Sequence, residues 1–278
     1  MTARDPRITL ARVDLAASGL EGLVRAGRFV ETAPMRAVRP MAPLRSAPDP
    51  GAEQVDQLLF GEVFDRVEIA DGHAWGQARR DGCVGFVEAD VLSSEVRAPT
   101  HWISALRAYA FETPSIKAPA RGPLSLNALV SIDEERGGFA HAADLGWIAK
   151  AHFAPIGTCL PDPAAVAERF LGTPYLWGGR DSLGLDCSGL VQQALYACGR
   201  ACPRDSDQQA TLGAPVPPQA RRRGDLVFWR GHVGLMLHAD RLLHANAHHM
   251  AVAIEPLAEA MARIRAAGAG EPTAFRRL

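Results

Sequence analysis

The stretch Tyr175-Leu176-Trp177-Gly178-Gly179-Arg180-Asp181-Ser182-Leu183-Gly184-Leu185-Asp186-Cys187-Ser188-Gly189 decides how this chain is read. A glycine-rich loop runs into Asp186, a residue suited to cap a helix. Behind it Leu190, Val191, Ala194, Leu195 and Cys198 recur at helical spacing until Gly199 closes the run. Cys187 therefore stands in the first turn of a helix. There the unpaired amides and the positive end of the helix dipole stabilise a thiolate, which is the attacking form of cysteine. The same amides can hold the oxyanion that forms when the thiolate adds to a carbonyl. A cysteine kept only for packing has little need of that position.

A nucleophilic cysteine needs a base. His232 opens a β-like run (232–237) directly after another (225–229), so two adjacent strands can face the helix. A third run (242–245) carries His244, which can hydrogen-bond the far nitrogen of His232 and fix its tautomer. A fourth run follows at 250–254. Upstream, Asp162 and Pro163 make a helix start, Val166 and Phe170 share a face, and Gly172 ends the segment. Helices that precede a run of strands indicate an α+β domain.

Six blocks in this order resemble the successive motifs of the NlpC/p60 family of papain-like cysteine peptidases. They are Pro174-Tyr175-Leu176-Trp177-Gly178-Gly179, Asp186-Cys187-Ser188-Gly189, Pro203-Arg204-Asp205-Ser206, Gly224-Asp225-Leu226, His232-Val233-Gly234 and His244-Ala245. The resemblance implies a papain-like catalytic domain over 163–278, with Cys187 as nucleophile, His232 as base and His244 as the orienting residue. It implies a pocket lined by Tyr175 and Trp177 and substrate contacts from Asp186 and Ser206. Asp186 is equally expected to act as a plain N-cap, and Ser206 as a turn residue or cap.

The first half is rich in short β-like runs broken by turns such as Pro48-Asp49-Pro50-Gly51, Asp71-Gly72 and Asp81-Gly82. Leu44-Arg45 is echoed by Leu106-Arg107, and Gly85-Phe86-Val87 by Gly146-Trp147-Ile148. This predicts two small β-barrels, 35–95 and 96–157, or else one larger β domain, behind an N-terminal arm over 1–34 with an amphipathic helix near 15–29. SH3-like barrels ahead of an NlpC/p60 domain resemble the peptide-recycling subgroup. That subgroup implies cleavage of the bond from γ-D-glutamate to a diamino acid in murein peptides with a free N-terminal L-alanine. One departure is Gly82-Cys83-Val84-Gly85-Phe86, where a tyrosine is expected in place of Cys83; Glu62 or Glu53 could replace the missing partner of the amine.

Thirty Lys plus Arg balance 31 Asp plus Glu, for a formal charge of −1, so no broad attraction to nucleic acid or anionic membrane is expected. Hydrophobic residues at 47% suffice for ordinary cores. Arg12, Asp14 and Glu21 interrupt the apolar residues near the start, which speaks against a secretory signal, and a cytoplasmic protein is expected. Five cysteines, an odd number, suit reduced thiols. His244, His248 and His249 invite a zinc reading, but with no partner pair at ligand spacing neither metal nor cofactor is expected. Two other functions remain open: a peptide-binding protein that has lost catalysis, and an amidase or acyltransferase of the same fold.

Overall fold

The computed structural model describes residues 4–278, which separate into two compact units, one ending at Ile156 and one beginning at Gly157. None of the described helices is long and apolar enough to cross a membrane.

Unit one is built from strands. A seven-stranded antiparallel sheet runs in the order Gln54–Leu59, Met41–Arg45, Val84–Glu88, His73–Ala78, Val63–Ala70, Ala33–Ala37 and Leu92–Ser93. Its apolar positions, Ala42, Leu44, Leu58, Phe64 and Val87 among them, enclose one core. A five-stranded sheet and a three-stranded sheet follow between His101 and Pro155, closing a second core on Ile103, Leu124, Val130 and Ile148. Each half pairs a strand with its Gly-aromatic block, but the echo of Leu44-Arg45 by Leu106-Arg107 is out of step: Arg45 pairs with Phe86, whereas Phe111 and not Arg107 pairs with Trp147. Met41–Arg45 pairs antiparallel with Val84–Glu88, and Arg107–Phe111 pairs antiparallel with Gly146–Ala149. In each pair a glycine allows the strands to close up. A Cβ on Gly85 would lie 2.7 Å from the Arg45 carbonyl oxygen, and one on Gly146 would collide with that of Phe111.

The helix expected near 15–29 does not form. Leu15–Ala17 and Arg28–Val30 are short parallel strands joined through a 3-10 turn, Ser18–Leu20. Glycine explains the difference. Gly19, Gly22 and Gly27 interrupt the segment, and Gly22 takes a φ of +76°. Leu10, Leu15 and Ala17 are instead buried against Val67 and Trp75, with the Arg12 guanidinium 4.3 Å from the Trp75 ring centre. The described part of the predicted arm, from residue 4, thus belongs to unit one, and residues 1–3 lie outside the described residues.

Unit two holds helices α1 (Pro163–Glu168), α2 (Cys187–Ala197), α3 (Ser206–Gln209) and α4 (Leu257–Ala266). Its six-stranded antiparallel sheet runs Ala214–Pro215, Ala274–Arg277, Leu226–Trp229, His232–Met236, Arg241–Asn246 and Ala251–Pro256. Helix α2 is buried on nearly every face and packs on the His232–Met236 and Arg241–Asn246 strands. This contact brings the cysteine helix to the histidine strands.

Candidate active site

Asp186 caps α2 by accepting the Gly189 amide at 2.8 Å, and this leaves Cys187 as the first helical residue. The preceding loop folds back onto the helix start. Gly178 takes a φ of +70° and donates its amide to Asp186 at 2.9 Å, while the Asp186 amide donates to the Gly179 carbonyl at 3.0 Å. A Cβ on Gly189 would collide with that same Gly179 carbonyl, so the loop can close over the helix only because Gly189 has no side chain.

The Cys187 thiol is buried, with the backbone amides of Val233 and Ser188 at its sulfur. Burial pushes the thiol up to about 12, and the Asp186 carboxylate adds to the effect; the two amides and Arg204 act in the other direction. Tyr175 lies close enough that burial, and then the charge of Cys187, raise its phenol above the ordinary value.

His232 immediately precedes Val233 and so stands beside the thiol's amide partner, with the Trp229 ring 5.8 Å from its own. Its Nε2 lies 2.8 Å from His244 Nδ1, and His244 Nε2 lies 2.6 Å from Glu255 Oε1. Arg263 donates to the same Glu255 oxygen. The three residues sit on successive strands. His244 pairs with Ala253 across the hairpin, so Glu255 is its diagonal neighbour on one face of the sheet.

The protons can be assigned from these contacts. His244 is kept neutral chiefly by burial, and the Glu255 carboxyl, held below its usual range by His244 and Arg263 despite burial, is an acceptor. His244 Nε2 therefore donates to Glu255, its Nδ1 accepts, and His232 Nε2 must be the donor to it. The lone pair of His232 is thereby directed to Nδ1. Burial, followed by the charges of His244 and Arg263, drops the His232 imidazole to about 3. At rest the thiol and the His232 imidazole are both neutral, and His232 Nδ1 is the ring nitrogen not engaged with His244.

Residues 172–270 match the NlpC/P60 family, and residues 44–92 match the bacterial dipeptidyl-peptidase Sh3 domain. The C-terminal unit carries an NlpC/P60 domain. This chain is 39% identical over 98 residues to the gamma-D-glutamyl-L-lysine dipeptidyl-peptidase of Bacillus subtilis (strain 168), covering 32% of this chain and 33% of that one. It is 35% identical over 107 residues to the peptidoglycan endopeptidase RipB of Mycobacterium tuberculosis, covering 32% and 44%. The chain thus spans about a third of the length of the Bacillus relatives it matches. A solved NlpC/P60 family protein from Bacillus cereus superposes with a TM-score of 0.74 over 88% of this chain and 99% of that one, at 20% identity, which shows a shared fold.

Within the NlpC/P60 domain the structure brings together Cys187, His232, His244 and Tyr175. Ser206 opens α3, which packs against α2 and the His232–Met236 strand. Trp177 is 59% exposed on the loop before the cysteine. Asp186 has both carboxylate oxygens engaged within the protein. Its oxygens accept from Gly178, Gly189, Ser188 Oγ and both terminal nitrogens of Arg204, at 2.5 to 3.2 Å, which fills its acceptor positions and balances its charge. Glu62 is likewise committed, buried with Arg80 at 2.9 Å and the Leu59 amide at 3.0 Å. Sequence reasoning missed Glu255, Arg263 and Arg204. Only Arg204 left a signal, since it lies in the Pro203-Arg204-Asp205-Ser206 block.

Proposed function

We propose that this chain is a cysteine endopeptidase that hydrolyses the γ-D-glutamyl to diamino-acid bond of murein peptides with a free N-terminal L-alanine, in cytoplasmic peptide recycling. The observation that carries the reading is the relay His232, His244 and Glu255, on the sheet whose Val233 amide meets the Cys187 sulfur. The activity for which the Bacillus subtilis relative is named supports the bond class. Tandem SH3-like barrels over 35–95 and 96–157 complete the proposed organisation, supported by the matching strand pairs of unit one.

In this mechanism His232 Nδ1 takes the thiol proton as Cys187 Sγ bonds to the carbonyl carbon. The new imidazolium is stabilised through His244 by the Glu255 carboxylate, and the α2 N-terminal amides hold the oxyanion. His232 then returns its proton to the departing amine, leaving a thioester that water hydrolyses. Tyr175, Trp177 and Ser206 line the approach to the sulfur, while Asp186 positions the helix that carries it.

Mass-spectrometric digestion of L-Ala-γ-D-Glu-diaminopimelate and of its N-acetylated form tests the proposal. Release of L-Ala-D-Glu from the free-amine peptide alone, lost in Cys187→Ala, is the expected result. Cleavage of both peptides would remove the free-amine requirement. Cleavage of neither would overturn the bond assignment, and cell fractionation checks the compartment.

A further inference from the structure

We propose that His244, His249 and Glu255 form an inhibitory zinc site that disarms the relay by switching its tautomers. One donor atom from each lies within 4.8 Å of the others. Two imidazoles and one carboxylate are a three-ligand zinc set with a fourth position left for water. Metal bonds of about 2 Å require donors roughly 3.3 Å apart. His244 Nε2 and Glu255 Oε1, now 2.6 Å apart in a hydrogen bond, have to separate to admit the ion, and exposed His249 has to swing inward.

The His249 ring is oriented for this role. Its Nδ1 lies 3.0 Å from Asn246 Oδ1, an acceptor, so Nδ1 carries the hydrogen and Nε2 keeps its lone pair. The turn bearing His249 is tied down at both ends. The His249 amide donates to Asn246 Oδ1 at 2.9 Å, and the Met250 carbonyl accepts the Tyr175 amide at 2.9 Å. Arg263 shares the Glu255 oxygen and would be repelled by the ion, so zinc and Arg263 compete for one carboxylate.

The consequence for the base rests on the function proposed above. Zinc at His244 Nε2 needs that lone pair, so the ring proton moves to His244 Nδ1. That nitrogen faces His232 Nε2, which must then accept, and the His232 proton moves to its own Nδ1. No proton is gained or lost, but the nitrogen that would receive the thiol proton is now occupied.

The test uses zinc chloride on the full chain. Calorimetry on Cys187→Ala, which removes the competing thiol, is expected to show one zinc site that weakens at least about tenfold when His249→Ala is added. In the active enzyme, His249→Ala is expected to need at least about tenfold more zinc for half-inhibition, measured against its own zinc-free rate. Equal zinc affinity with and without His249 would overturn the proposal. Calorimetry needs no substrate, so a wrong bond assignment leaves this result readable.

Discussion

At the scale of single residues, the structure assigns work to groups that motif spacing does not reveal. Glu255 lies 11 residues beyond His244 and shares no recognisable block with it. Only the pairing of the two strands places them on one face. Removing the carboxylate leaves His244 free to present either tautomer and deprives the His232 imidazolium of its counter-charge. Glu255→Ala is expected to lower kcat by about 10- to 100-fold with a smaller change in KM, as steady-state kinetics on the murein tripeptide would show. Cys187 and His232, by contrast, were legible in the sequence because each sits in a short block with a glycine at a set place, and His244 because it falls on the next β-like run. Asp186 was legible as a cap, but its ion pair with Arg204, 18 residues away, was not.

At the scale of elements, the start of α2 depends on that ion pair. The side chains of Arg204 and Asp186 are only 2% and 9% exposed, and they tie the α3 approach to the cysteine helix. Arg204→Ala would leave the carboxylate buried without its counter-charge. A loss of about 3 to 5 kcal/mol in urea unfolding is expected, with activity falling as the cap loosens. Helices α1 and α2 and the four strands between Leu226 and Pro256 follow their local signals, because capping residues, glycine stops and apolar patterning agree there, whereas α3 and α4 were not anticipated. The strand Ala274–Arg277 escaped notice because four residues next to the chain end show no pattern, and only its place between two other strands defines it. The segment near 15–29 failed for the opposite reason. Its apolar spacing suited a helix, but three glycines and burial against Trp75 favoured extended backbone.

At the scale of the whole molecule, the buried histidines link folding to pH. His232 falls to about 3 and His244 also lies below the usual 6.5. The folded chain therefore binds their protons later than the unfolded chain does. Their contribution to stability is full above about 6.5 and is lost as pH falls toward the folded values. Thermal unfolding followed from about pH 8 down to about pH 4 should show a plateau to about pH 6.5 and then a loss of stability, and His232→Gln should flatten the falling part. A slope unchanged by that substitution would place the titrating groups elsewhere.

The arrangement of His232, His244 and Glu255 on three consecutive antiparallel strands makes the site a test of its own assembly. Side chains alternate between faces, so a slip of one residue in either hairpin would turn one member of the relay to the opposite side of the sheet. Such a misaligned sheet could keep most of its hydrogen bonds and still be inert. During refolding, hydrolysis should thus be the last property to return, appearing only after both hairpins have found their final alignment.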